Sequence, residues 1–167
     1  AATAELAREV ADRPTPRARH AMGWLHLLKE ELDRAEEQLK QVVREEPRNA
    51  LAHVDLASVY YERGVREKSV PLLSQAVDHL KTAIDVSPKL TEAWFNLALC
   101  HEQMMLPTQA QADWKRYLEL DSSSPWAGEA RARLQRLVTP DKSFVTPARL
   151  SMELMAAAAG NKEEKFR

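Results

Sequence analysis

The sequence predicts an all-α protein built from repeated helical hairpins, and two observations predict it. Only 4 of the 167 residues are glycine, and long stretches are rich in Ala, Leu, Glu, Lys and Arg, which favour helix. A pattern of small and large residues also recurs three times, with one small residue in each half of the unit. These small residues are Gly23, Ala57 and Ala98 in the first half, and Ala35, Ala76 and Ala110 in the second. Such a period indicates an array of one hairpin unit.

The spacing of the repeats is irregular at one place. Ala76 and Ala110 lie 34 residues apart, whereas Ala35 and Ala76 lie 41 residues apart. Seven extra residues therefore fall between Tyr60 and Ala76, in the second unit. Because seven residues make about two helical turns, the insertion is compatible with longer helices or with a longer turn around residues 63–68.

Prolines and capping residues predict where the helices begin and end. Pro71 and Pro107 belong in first helical turns, where the missing amide hydrogen costs nothing, and Ser69 is a candidate cap. Pro47 and Pro88 end the preceding helices because proline lacks an amide donor. We expect paired helices at about 17–30 and 33–46, at 50–62 and 70–86, and at 91–104 and 107–120.

The flanks of the array are expected to contain further helices. Residues 1–15 fit the second helix of a truncated preceding repeat, and the array itself spans residues 16–137. Its repeats are expected at 16–49, 50–90 and 91–124, followed by a capping helix at 125–137 that Ser124 caps and Pro125 opens. A linker, a helix at 147–159 and a charged tail are expected in residues 138–167. An incomplete first repeat leaves an apolar face uncovered, which is compatible with self-association.

Composition excludes several classes of partner. The net charge of -1 lacks the basic excess that nucleic-acid binding needs, so we expect no nucleic-acid partner. No apolar run approaches the roughly 20 residues that span a bilayer, so we expect no membrane partner. The single cysteine, Cys100, cannot form an internal disulfide and suits a small core position. This pattern is compatible with the cytoplasm.

The sequence contains no motif that indicates catalysis, a cofactor or a metal. No two of the five histidines are spaced i,i+4, and the chain has no HExxH, CxxC, Gly-rich phosphate loop or GxSxG turn. We therefore predict a protein that is not an enzyme, with no cofactor and no metal site. His26 and His101 are expected to be partly buried structural residues. We expect exposed charges at Glu36, Glu37, Glu45 and Glu46, and a solvated helix face at Arg131, Arg133 and Arg136 in preference to a site for phosphate or an acidic partner.

The period of 34 residues and the placing of small residues over residues 16–121 resemble the tetratricopeptide repeat (TPR) family. The resemblance implies a right-handed α-solenoid of about three hairpins plus capping helices. It also implies that first helices line a concave groove that binds a peptide, a protein segment or a downstream domain of the same polypeptide. The implied groove residues are His20, Trp24, Leu27, Val54, Ser58, Tyr61, Phe95, Leu99 and Glu102. They form one set of three per repeat, and the groove position before each set is occupied by Arg17, Leu51 and Glu92 in turn.

The residues at these groove positions are mostly apolar or aromatic. TPR chaperone cofactors hold a partner's terminal carboxylate with Lys, Arg and Asn, and this lining does not match that clamp. An apolar lining suits an amphipathic helix or the protein's own downstream helix. The alternative is that some of these side chains pack between repeats.

Residues 54–137 resemble a narrower group, the TPR regions of bacterial proteins that carry a CHAT protease domain. The resemblance rests on four stretches, which contain the motifs Asp55-Leu56-Ala57, Trp94-Phe95-Asn96, Trp114-Lys115-Arg116-Tyr117-Leu118 and Ser124-Pro125-Trp126. Nothing here matches that family's His/Cys dyad, so protease activity is not implied. The sequence thus predicts a non-enzymatic, cytoplasmic, bacterial scaffold for protein–protein interaction. The alternative is a regulatory or structural module of a larger enzyme, such as a CHAT-type protease whose catalytic domain is absent here.

Overall fold

The computed structural model describes residues 15–139 and the isolated positions Ala4 and Arg8. Over residues 15–139 the backbone forms seven helices and no strand, so the all-α prediction is confirmed. The helices are α1 (Pro16–Leu28), α2 (Leu32–Glu45), α3 (Ala50–Glu67), α4 (Val70–Val86), α5 (Thr91–Gln103), α6 (Pro107–Leu120) and α7 (Pro125–Val138). The predictions for the helix before residue 15, for most of the linker, for the helix at 147–159 and for the tail lie outside the described residues.

Consecutive helices pack in pairs, and each pair packs against the next. The hairpins are α1 with α2, α3 with α4, and α5 with α6, and the connections of two or three residues make the members of each pair antiparallel. Between hairpins, α2 packs on α3 and α4 packs on α5. The first helices α1, α3 and α5 also contact one another in order, so they share one face of the array.

The core is formed where small residues of one helix face large residues of its neighbours. Ala35, Ala76 and Ala110 are completely buried, as the repeat pattern predicts. Gly23 allows the closest approach, since a Cβ atom there would lie 2.6 Å from Leu39 Cγ. Cys100 is also completely buried, and burial raises the pKa of its thiol to about 12. The thiol is therefore a core group that stays protonated at neutral pH.

Side-chain caps begin three of the helices. The Thr15 hydroxyl accepts the Ala18 amide hydrogen of α1 at 3.2 Å, and the Asn49 side chain accepts the Ala52 amide hydrogen of α3 at 3.0 Å. Ser124 caps α7 as predicted, through a bond from the Ala127 amide at 3.3 Å. Ser69 occupies the N-cap position of α4, but its side chain makes no capping bond. Ser69 therefore lies at the predicted cap position, but the side-chain hydrogen bond of a cap is absent.

Every turn within a hairpin passes through one left-handed residue that is not glycine. These residues are Glu30 (φ 59°), Lys68 (φ 51°) and Met105 (φ 58°). The left-handed conformation is sterically costly for residues with a Cβ atom. The three turns are therefore equivalent in backbone geometry although their residues share no chemical property.

The seven inserted residues lengthen the helices of the second hairpin and not its turn. Helices α3 and α4 have 18 and 17 residues, whereas the helices of the other hairpins have 13 and 14. Helix α3 continues beyond residue 62, its expected end, as far as Glu67. In this extension Arg63 pairs with Glu36, and Arg66 Nη2 lies 2.8 Å from Glu30 Oε2. Glu36 is therefore half-buried and paired, and not the exposed charge that the sequence suggested.

Candidate functional site

A depression of about 550 Å³ lies between α3 and α5 on the face that the first helices share; we call it the central groove. Its far end is closed by the end of α6 and the start of α7. The residues that line it are Val54, Asp55, Ser58, Thr91, Glu92, Phe95, Asn96, Tyr117, Asp121, Ser124 and Trp126. Its lining therefore comes from two repeats and the helix that follows them.

One wall of the central groove is an aromatic cluster centred on Phe95. The Phe95 ring meets three other rings edge to face, with centroid distances of 4.9 Å to Trp114, 5.2 Å to Tyr117 and 5.7 Å to Trp126. Trp114 is completely buried, whereas Trp126 remains 64% exposed. The cluster therefore presents a preorganised apolar surface to solvent while its other side belongs to the core.

The floor of the central groove carries a short hydrogen-bond chain between α3 and α5. The Asn96 side-chain amide donates to Ser58 Oγ at 3.3 Å, and the Ser58 hydroxyl donates to the Val54 carbonyl at 3.1 Å. Because Ser58 is small, its position leaves the groove open at this point. A larger residue at position 58 would fill the space.

Three carboxylates surround the opening of the central groove, and none of the described residues that line it is Lys or Arg. Asp55 is bonded to His20 Nε2 at 2.7 Å, and exposed Glu92 accepts from the Thr91 hydroxyl at 3.1 Å. Hydrogen bonds from Ser124 above all, and from the Tyr117 hydroxyl, hold the pKa of Asp121 well below its usual range. The opening is therefore electronegative at neutral pH.

The structure distributes the predicted groove residues over three depressions. Val54, Ser58 and Phe95 lie together in the central groove. Ser58 also lines a cavity of about 130 Å³ with Tyr61 and Leu99. Leu27 lines a third depression of about 320 Å³, which again includes Ser58. Ser58 is therefore the point where the three depressions meet.

The remaining three predicted residues do not line these depressions. His20 is bonded to Asp55, and Trp24 is 48% exposed on α1. Glu102 accepts the Trp114 indole hydrogen at 2.6 Å and pairs with Arg133 Nη1 at 3.0 Å. Glu102 therefore joins α5 to α6 and α7. This position agrees with the alternative in which some of these side chains pack between repeats.

Arg133 does not lie on a solvated helix face, which the sequence suggested for the arginines of α7. It is half-buried, pairs with both Glu102 and Glu129, and lies 6.0 Å over the Trp114 ring. Exposed Arg131 donates to the Ser122 carbonyl at 3.0 Å. These contacts fasten α7 to the hairpin before it, so Arg133 has a structural role.

Sequence reasoning missed the groove residues that do not come from first helices. Tyr117, Asp121, Ser124 and Trp126 lie at the end of α6, in the following connection and at the start of α7. The signal that could have found them is the Ser-Pro-Trp motif, because Pro125 at the start of α7 places Trp126 in the first turn of that helix.

The histidines have structural partners. His26 Nδ1 lies 2.6 Å from Glu31 Oε2, and buried His101 Nδ1 lies 2.5 Å from Asp113 Oδ2. Both observations agree with the expected structural roles of His26 and His101. Among the residues that the structure describes, no group of three or more His, Cys, Asp or Glu side chains could hold a metal ion.

His53 and His79 form a pair between α3 and α4. His53 Nε2 donates to the Pro47 carbonyl at 3.0 Å, so the neutral His53 ring accepts through Nδ1 from His79 Nδ1, also at 3.0 Å. The Tyr60 ring stacks on His79 with an interplanar angle of 11°. Burial, reinforced by the nearby His53, lowers the pKa of His79 below 6.5.

Acidification is expected to destabilise the fold through His79. Its folded-state pKa lies below the unfolded value, so the unfolded chain binds a proton that the folded chain excludes. The stability it contributes is therefore complete above pH 6.5 and is lost as the pH falls through that value toward the folded-state pKa. One such group changes the free energy of unfolding by at most about 1.4 kcal/mol per pH unit.

Urea denaturation between pH 8 and about pH 5.5, above the usual titration range of carboxylates, measures this effect. The wild type should lose more stability over this range than His79→Gln, while both proteins show the same weak dependence above pH 7. Equal losses in the two proteins below pH 6.5 would contradict the assignment to His79.

No helix among the described residues is long and apolar enough to span a bilayer.

Comparison with known proteins identifies the fold. Residues 20–65 match the family model described as tetratricopeptide repeat. The structure is similar to TTC0263, a thermophilic TPR protein of Thermus thermophilus, with a TM-score of 0.69 and 24% identity over 81% of this chain and 71% of that one. No curated protein matches the chain.

Two isolated TPR domains are also similar. The first TPR of Spaghetti (RPAP3), bound to the HSP90 peptide SRMEEVD, has a TM-score of 0.64 and 20% identity over 74% of this chain and 96% of that one. The Arabidopsis OM64 TPR domain has a TM-score of 0.65 and 17% identity over 72% of this chain and 94% of that one. Together these findings show a TPR-like helical-repeat fold and support a TPR protein.

Proposed function

We propose that this protein is a non-enzymatic scaffold that binds a peptide or a protein segment in the central groove. The observation that carries the proposal is the aromatic wall, in which exposed Trp126 stands beside Phe95 and is held there by the cluster behind it. A partner that covers this wall buries apolar area without first ordering the side chains that receive it. Proteins of this fold are in general scaffolds for such interactions.

The comparison with Spaghetti supports a peptide partner but not the same peptide chemistry. The HSP90 peptide bound to that protein, SRMEEVD, has three acidic residues among its last four. Here the opening of the central groove carries Asp55, Glu92 and Asp121, and no Lys or Arg lines it among the described residues. A terminal-carboxylate clamp is therefore not part of the proposal.

A display library of random 12-residue peptides, selected on the full chain, provides the test. The affinity of the selected peptides is measured by fluorescence anisotropy on the wild type and on Ser58→Tyr, in which a large ring fills the groove between α3 and α5. We expect Ser58→Tyr to weaken binding at least tenfold, which corresponds to about 1.4 kcal/mol.

The matched control is Gln75→Tyr, which adds the same ring at an exposed position on α4 outside the groove. Circular dichroism verifies that both variants are folded, and Gln75→Tyr should bind as the wild type does. Equal binding by folded Ser58→Tyr, or selection of no peptide at all, would refute the central groove as the binding site.

A second candidate function is that of a scaffold module of a larger enzyme, such as a CHAT-type protease. The specific support is that residues of the narrower resemblance, Phe95, Trp114 and Trp126, form one cluster in three dimensions. The sequence of the complete reading frame tests this candidate. A caspase-like domain with a His/Cys dyad would support it, and a frame without any enzyme domain would exclude it.

A further inference from the structure

We infer that the central groove selects a basic segment, in which an arginine or lysine stands next to an apolar side chain. This inference rests on the proposed function, because it specifies what the central groove binds. The charge of the groove opening and the character of its wall carry the inference together.

The carboxylates of the groove differ in how much of their hydrogen-bonding capacity is already used. Asp121 accepts from Tyr117, from the Ser124 hydroxyl and from backbone amides of the same loop. Asp55 and Glu92 each accept one of the bonds described, from His20 and from the neighbouring Thr91. Of these two carboxylates Glu92 is the exposed one, and Asp55 is partly buried. Each ionised carboxylate offers about four acceptor sites, so Asp121 has little capacity left, and exposed Glu92 is the most accessible acceptor for a partner's cation.

The aromatic wall adds a second reason for a cationic partner. The face of an exposed tryptophan attracts cations, and arginine most often. Trp126 is exposed and lies against Phe95, close to the carboxylates that line the same groove. An apolar side chain that follows the cation along the segment can then rest on Phe95 and Val54.

The same charges exclude other classes of occupant. Phosphate groups of a nucleic acid or an anionic membrane would meet three carboxylates and no compensating Lys or Arg among the described lining residues. Acidic peptides would meet the same repulsion. Complementary charge favours a basic protein segment and rejects acidic ones, which is how charged groups produce specificity at interfaces.

The experiment uses the peptides selected on the full chain. Each peptide is made in three forms, in which the residues that flank its apolar side chains are Arg, Gln or Glu. Binding is measured on the wild type, on Glu92→Lys and on the control Asp33→Lys. Asp33 occupies the same position in the first turn of α2 that Glu92 occupies in α5, and it is exposed outside the groove. The two variants therefore make the same charge change at equivalent helix positions.

We expect the Arg form to bind the wild type at least tenfold more tightly than the Glu form, with a preference that decreases as salt increases. Glu92→Lys should weaken the Arg form at least fivefold, and Asp33→Lys should leave it within twofold of the wild type. Glu92→Gln, which removes the charge with less disturbance of the helix start, should give an intermediate loss. Circular dichroism shows whether each variant is folded.

The two proposals fail in different ways. If selected peptides lose binding in Ser58→Tyr but the Gln or Glu forms bind as well as the Arg form, the groove is the site and the basic segment is wrong. If Ser58→Tyr binds normally, the groove itself is wrong. If light scattering shows a dimer that Glu92→Lys dissociates, a second copy of this chain occupies the groove, and a separate basic partner is overturned.

Discussion

Replacing Trp114 with alanine is expected to lower the free energy of unfolding by about 3–5 kcal/mol, the usual cost of deleting a buried aromatic side chain. Trp114 is completely buried, its ring meets Phe95 at 4.9 Å, and its indole donates to Glu102 at 2.6 Å. The substitution leaves a cavity behind the groove wall and removes a partner of Glu102. Urea denaturation followed by circular dichroism measures the loss.

The matched control for Trp114→Ala is Trp24→Ala, in which the same atoms are removed from a side chain that is 48% exposed. We expect this control to cost about 1 kcal/mol or less, since much of its surface already meets water. Comparable losses in the two variants would show that the burial of Trp114 does not stabilise the fold more than the half-exposed Trp24 does.

Replacing Gly64 with alanine is expected to destabilise the second hairpin by about 1–3 kcal/mol, the usual cost of overpacking a core. A Cβ atom at position 64 would lie 2.8 Å from Leu73 Cδ2 and 3.2 Å from the Leu73 backbone nitrogen. Leu73 is buried, and its backbone nitrogen can give way only if α3 and α4 separate. Thermal and urea denaturation of the full chain measure the loss.

Gly128→Ala is the control with the opposite expected sign. A Cβ atom at this exposed position of α7 meets nothing within 4 Å. The helix propensity of alanine should therefore stabilise the fold by up to about 1 kcal/mol. Stabilisation by both substitutions would mean that the extended hairpin does not depend on close contact at Gly64.

Much of the fold could be predicted from sequence, because prolines and small residues mark positions that few other residues can occupy. Pro107 and Pro125 begin α6 and α7 where expected, and α4 has the predicted bounds 70–86. The repeated alanines are buried because only small residues fit between packed helices. Periodicity identifies such positions without any knowledge of their partners.

Other features depend on contacts that spacing does not reveal. Residues 63–68 are mostly charged and suit either a helix or a turn. They are helical up to Glu67, where Gly64 packs closely on Leu73 and Arg63 pairs with Glu36. The groove position predicted for Glu102 came from its place in the repeat. Its two partners, Trp114 and Arg133, lie on other helices, and their side chains determine its role.

The uneven distribution of tryptophan has a spectroscopic consequence. Trp94, Trp114 and Trp126 all belong to the third hairpin and α7, and Trp24 lies in the first hairpin. In the Trp24→Phe variant, indole emission therefore reports on one end of the array, while far-ultraviolet circular dichroism reports on every helix. Because repeat units contact only their neighbours, any separation between the two unfolding curves measures how strongly the hairpins are coupled.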